Sequence, residues 1–424
     1  MYSYIVRFLA LVDDISFKVS SHKKETIEKF VEDILKIFAA LDADQQLTIN
    51  GFQRNSRETI EKISQFVDNY SSVAPELKSL PSFFKKMGEN TPFFFMPSEK
   101  TQKVDTTRLL IYLETIDIDV SYDERLHQHE ELFGELKSNY KINSYGDRRI
   151  TIGERIKKKR VCRLCSKKEP MVTFKNVAHA ISEALGNKNV ILYDECDKCN
   201  SDFNKSTEQD IVTYLSLFRT FFNVKGKGGS KKIKGDNFKI QNDGNSVQME
   251  IYQSTEASKR NENSYKLSIE PSSPITLQNI YKTFCKYFIS VVPSDELSNF
   301  TETIKWIRGE TDFDELPTIA ELLSYHSFST QPKLVTYLRK NEDNSLPYAV
   351  GEFHFTCRIF VFIIPLASKG SKTFHRKDDF DSFWSTFKHL NLVQGWSFKD
   401  YSDSQARKMT LNLNFEKAGS NPDK

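Results

Sequence analysis

Residues 162–208 read C-R-L-C-S-K-K-E-P-M-V-T-F-K-N-V-A-H-A-I-S-E-A-L-G-N-K-N-V-I-L-Y-D-E-C-D-K-C-N-S-D-F-N-K-S-T-E. Two C-x-x-C pairs, Cys162/Cys165 and Cys196/Cys199, enclose the thirty residues 166–195. Each pair offers two thiolates on one side of a turn, so together they have the ligand count and spacing of a tetrahedral zinc site. Such a site would be structural, because four thiolates leave no position for water. The alternatives are two unrelated cysteine turns or a redox pair, although a redox motif needs only one pair in a thioredoxin-like setting.

Basic residues crowd this stretch. Between Arg148 and Lys168 ten cations, including Lys157, Lys158, Lys159 and Arg160, face one acid, Glu154. A second run, Lys225, Lys227, Lys231, Lys232 and Lys234, is threaded with Gly226, Gly228 and Gly229. The first run reads as a solvated surface or as a track for phosphates, which positions a duplex without reading its sequence. The second reads as a flexible linker or as a loop closing over backbone phosphates. The 60 basic and 57 acidic side chains leave a net charge of only +3, so global charge names no partner.

At roughly 150 residues per domain, 424 residues suggest three domains, or one large body carrying an insert. The 33 Phe, 17 Tyr and 3 Trp can offset the ordering entropy, which excludes disorder for most of the chain. Six cysteines are too few for a disulfide scaffold and point to a reducing, cytoplasmic setting. Met1 to Val12 resembles a signal peptide only briefly, since Arg7 interrupts it and Asp13 and Asp14 close it. The apolar run from Ile359 to Ala367 falls far short of the roughly 20 residues of a membrane helix, so no membrane partner is expected.

The expected fold is α+β, with a small module at 151–225 between a mainly helical region at 1–150 and an α+β region at 226–424. Ile27, Phe30, Val31, Ile34, Leu35 and Phe38 recur at helical spacing. Asn55 and Ser56 cap a second helix carrying Ile60, Ile63, Phe66, Val67 and Tyr70. Ile116, Ile118 and Val120 alternate as in a strand over 109–122, ahead of a charged helix over 123–137 that holds His127 and His129. Later segments predict strands at 246–253 and 264–269, helices at 277–292 and 296–308, a hairpin of 334–339 with 348–366, a helix near 383–390 and a last strand at 409–415.

The order of the cysteines, the Val177-Ala178-His179 strand end, the Leu185-Gly186-Asn187 turn and the asparagine after the second pair (Cys199-Asn200) resembles the HNH endonuclease family. The branch resembled is the one in which two C-x-x-C pairs staple a ββα-metal module, and the likeness covers residues 156–225. It implies a nuclease cutting DNA, less readily RNA, with a structural Zn²⁺ and a catalytic Mg²⁺ or Mn²⁺. His179 would be the general base, since imidazole can accept a proton at neutral pH. Asn200 would give an amide oxygen to the hard catalytic ion, and Asn187 would hold the loop carrying the base. Asn204 and Glu208, at i+4 and i+8 from Asn200 on a continuing helix, are further candidate ligands of that ion.

One departure stands out. The family usually has an acid or histidine just before the base, as a metal ligand, where this chain has Ala178. Glu195, Glu208 or Asn204 would have to replace it. Inserted modules of this kind resemble those of restriction and phage-defence effectors, in which flanking regions contact a target, a homodimer mate or a defence partner protein; that step is analogy. The alternative function is a non-catalytic zinc module binding nucleic acid or a partner protein, with Ala178 marking lost metal chemistry.

Overall fold

The structure, a computed structural model, describes residues 1–41, 47–98, 106–226, 232–235, 238–252, 258–260, 264–269, 273–324, 328–370 and 372–416. These fall into two compact units, Met1–Glu131 and Leu132–Lys424.

In the first unit β1 (Tyr2–Ala10), β2 (Asp13–Ser21), β3 (Phe52–Arg54) and β4 (Pro92–Ser98) form an antiparallel sheet in the order β2-β1-β4-β3. Helix α1 (Lys24–Phe38) buries Ile27, Phe30, Ile34 and Phe38, the face its periodicity predicts. Helix α2 (Arg57–Tyr70) starts at Ser56, whose Oγ accepts from the Thr59 N–H at 3.0 Å. Asn55 does different work: its buried amide donates to the Phe84 and Gly88 carbonyls around the end of α3 (Leu80–Met87). The region expected to be mainly helical is therefore helix-rich but organised on a sheet, with Phe8 at its centre against Phe84 and Phe95.

The strand expected over 109–122 is corrected. Residues Thr106–Thr115 are helix α4, and α5 (Tyr122–Asn139) follows a turn in which Ile118 and Val120 stand exposed. Alternation makes a strand only where a neighbouring strand supplies the hydrogen-bond ladder.

The second unit is built on a six-stranded antiparallel sheet that starts with β5 (Tyr140–Tyr145). Next come β6 (Ile150–Ile152), β7 (Ala178–His179) and β8 (Val190–Leu192), a small sheet in which β8 runs parallel to β6 and antiparallel to β7. Helices α6 (Asp197–Lys205), α7 (Thr207–Tyr214) and α8 (Ser216–Phe221) follow in close succession. Helix α9 (Leu277–Val291) is almost wholly buried, and α10 (Thr301–Ile307) lies beyond it. The remaining strands of the large sheet are β9 (Ile319–Leu323), β10 (Ser329–Arg339), β11 (Ala349–Thr356), β12 (Arg358–Ile363) and β13 (Ser397–Lys399), giving the order β13-β9-β12-β11-β10-β5.

The apolar run over 348–366 is thus two strands, β11 and β12, with Thr356 in the left-handed region at the turn between them. Phe284 on α9 packs its ring against Phe353, Phe360 and Phe362 of that hairpin at 4.9–5.5 Å. One continuous apolar core joins α9, the hairpin and the cysteine-bearing segment. No helix among the described residues is long and apolar enough to cross a membrane.

Candidate metal centre and active site

Four sulfurs converge. The Sγ atoms of Cys162, Cys165, Cys196 and Cys199 all lie within 4.8 Å of one another, with Cys165 and Cys196 3.8 Å apart. A tetrahedral site with metal–sulfur distances of about 2.3 Å places its sulfurs about 3.8 Å apart, so the cluster fits a zinc ion. The local fold aims them there: Cys196 precedes α6 and its sulfur caps the Cys199 N–H, while the Cys196 N–H approaches the Cys162 sulfur at 3.4 Å. Their acidities diverge. Hydrogen bonding from Cys199 holds the Cys162 thiol down at about 5, and burial pushes Cys196 up to about 12. Donating to Cys162 raises Cys199 further. Four coexisting thiolates therefore require a cation among them.

His179 ends β7, half-exposed, with its backbone paired to Ile191 of β8. The following loop is locked by Asn187, which is 1% exposed. Its Nδ2 donates to the Ile181 and Val190 carbonyls, and its Oδ1 accepts from the Asn189 and Val190 N–H groups. Gly186 before it has φ +86°, and a Cβ there would sit 2.7 Å from Val224 Cγ1, so the turn requires glycine. The lead-in to β7 is fixed by Asp197, the first residue of α6. Its carboxylate accepts from the Lys175 and Asn176 N–H groups at 2.8–3.1 Å and from the Thr173 hydroxyl. Burial opposes the charge, but these donors prevail and hold the Asp197 carboxyl below its ordinary range.

The acids expected to complete a catalytic-metal shell have other partners, which corrects that expectation. Glu195 and Glu208 are 2% and 4% exposed, and both face the ammonium of Lys286 on α9, at 3.2 and 3.0 Å. Lys286 also donates to the His179 carbonyl at 3.4 Å. Burial alone would lower its pKa, but the two carboxylates more than offset this and hold it raised; burial pushes Glu195 up to about 7, since one ammonium cannot neutralise two carboxylates. Glu208 leaves the Asn200 face because the helix does not continue. At Ser206 (φ −113°, ψ −99°) the chain breaks between α6 and α7, and the Ser206 hydroxyl donates to the Asp202 carbonyl instead. Asn204 does stay beside Asn200, donating to its carbonyl at 2.7 Å and its Oδ1 at 3.2 Å. Ala178 is 2% exposed within the apolar core. Among the described residues, the cysteines are the one group of three or more His, Cys, Asp or Glu side chains converging as a metal site, so His127 and His129 form none.

The cations divide. Lys157, Lys158 and Lys159 form one exposed turn, and Lys225 is exposed. Arg160 is held over the Tyr193 ring at 4.5 Å and donates to the Glu154 and Arg155 carbonyls. Lys227 lies outside the described residues.

Sequence reasoning missed Arg163, Asp194, Asp197 and Lys286. Helix α9 carries two lysines four residues apart, Lys282 and Lys286, and only the second is buried, which the spacing alone does not reveal.

Residues 162–216 match the HNH endonuclease family, so this segment is an HNH domain with a four-cysteine cluster. No curated protein and no solved structure matches the chain.

Proposed function

We propose that the HNH domain hydrolyses phosphodiester bonds in DNA, with His179 as the general base and zinc at the four cysteines. The observation that carries this reading is the three-sided immobilisation of the His179 strand. Asn187 grips the loop after it, Asp197 the loop before it, and Lys286 its carbonyl. A catalytic group repays such fixation, because small displacements of a base are costly in rate. In the reaction His179 takes a proton from water while the oxygen attacks phosphorus and the ester oxygen leaves. A divalent cation at Asn200 would supply stabilisation for the phosphorane and the leaving oxygen. Glu195 and Glu208, both held by Lys286, are not placed to complete the shell of such an ion. The exposed Lys157–Lys159 turn would contact backbone phosphates.

The buried Ala178 favours a second reading, a zinc module that binds nucleic acid or protein without cutting. Incubating the chain with plasmid and Mg²⁺ or Mn²⁺ separates the two. Wild type should nick or linearise the plasmid, and His179→Ala should lower the rate by roughly 10²–10⁴-fold with zinc content and DNA binding intact. A wild type that binds but never cuts would establish the second reading.

A further inference from the structure

The family match ends at residue 216, and Tyr214, near that end, helps line a cavity of about 830 Å³. One side is apolar and largely aromatic: Leu217, Phe218, Phe221 and Phe222 from α8 and its end, with Ile275 and Leu277 at the start of α9. The rest of the lining includes four cations, Arg358, Lys399, Arg407 and Lys408, and two carboxylates, Asp400 and Asp403, the last paired with Arg407 at 2.7 Å. Beneath them the Glu321 carboxylate is 2% exposed and already satisfied by Tyr214, Tyr401, Lys399 and Arg358. The Arg358 guanidinium lies between the Phe218 and Phe360 rings at 5.3 and 5.2 Å, and its Nε has no hydrogen-bond partner among the described residues. The volume suits a small organic molecule, and a mostly apolar wall with a few convergent polar groups is how such sites are built.

The cavity is wired to the HNH domain by two helices. Helix α7 ends in the cavity wall at Tyr214 and begins beside Glu208, on Lys286. Helix α9 begins in the wall at Leu277 and carries Lys286, which donates to the His179 carbonyl. Between these points Asp210 of α7 accepts from the Asn279 side chain at 2.7 Å and from the Thr276 N–H at 3.3 Å, which ties α7 to the start of α9.

We propose that this cavity binds a small organic anion with a planar apolar body, and that its occupancy acts on the His179 strand through α7 and α9. The aromatic wall takes the body and the excess of cations takes the charge. The regulatory half rests on the nuclease reading given above; the binding half does not.

The test uses the full chain and 8-anilinonaphthalene-1-sulfonate, a sulfonate on a planar apolar naphthalene ring that also carries an anilino group, followed by fluorescence titration. Leu323→Trp, at a half-exposed position in the wall, and Lys408→Glu should each weaken binding about ten-fold. The probe should also slow alkylation of Cys357, a half-buried thiol that lines the cavity. Equal affinity in both variants, with Cys357 unprotected, would overturn the site. Coupling is read by amide hydrogen exchange: bound probe should shift protection of the Ala180 N–H, which is bonded to the Val190 carbonyl. Binding without any change there would overturn the coupling. Neither arm needs cleavage, so a chain that never cuts would sink the nuclease reading and leave this one to be judged on its own data.

Discussion

Arg163, between the first two cysteines, grips Asp194 with two parallel hydrogen bonds of 2.9 Å, and both side chains are buried. The same guanidinium donates to the carbonyls of Ile289, Ser290 and Val292, closing the C-terminal end of α9. A planar fork can serve a carboxylate and a helix end together, which a lysine cannot. Arg163→Met should therefore strand a buried carboxylate and cost about 3–5 kcal/mol in chemical denaturation. Asp194→Asn should recover part of that loss in the double variant, and an additive double variant would show the pair is not coupled.

Metal binding should be inseparable from the fold of the HNH domain. One zinc per chain is expected at the four sulfurs, and Cys196→Ser should remove it and unfold residues around β7 and β8, since ligation supplies folding energy. Metal analysis alongside circular dichroism checks this. Folded, zinc-free Cys196→Ser protein would show that packing alone holds the domain.

The exposed lysine turn should contribute affinity and not sequence choice. Neutralising Lys157, Lys158 and Lys159 together should flatten the salt dependence of DNA binding by about one slope unit per lost phosphate contact. Arg160 is a control, because its guanidinium is already stacked on Tyr193. An unchanged salt slope in the triple variant would leave the turn a merely solvated surface.

Acid should loosen the large sheet through Glu352. Burial would raise this carboxyl, but hydrogen bonds from His354 and Tyr337, with the His389 ring 3.9 Å away, outweigh it and hold it well below its ordinary range. A carboxyl depressed in the folded state adds stability above its unfolded pKa of about 4.3, and that stability is lost as pH falls below it. Glu352→Gln should be less stable than wild type at pH 7, with a shallower decline of the urea midpoint between pH 5 and 3. Parallel declines would exclude Glu352 as the source.

Local patterns were legible in the sequence and long-range charge pairing was not. The cysteine spacing, the periodicity of α1 and α2 and the glycine at 186 each depend on neighbours within one turn or pair, so they are written in the residue order. Lys286 meets Glu195 and Glu208 only after the chain has folded back on itself, and nothing near position 286 names those partners. The strand misread over 109–122 has the same origin, since exposed alternation says nothing about whether a neighbour strand arrives. The break at Ser206 is a single-residue event, and it turned a predicted metal ligand into half of a buried ion pair.

Helix α9 makes the HNH segment a poor candidate for transplantation. Lifted out as residues 162–216, it would carry Glu195 and Glu208 without Lys286, Arg163 without the α9 carbonyls, and the histidine strand without the ammonium that grips its carbonyl. A graft of the four cysteines, His179 and Asn200 onto another scaffold would copy the motif and omit half its electrostatics. Any exchange of this part between proteins, in the laboratory or in evolution, has to move a helix that begins only at Leu277.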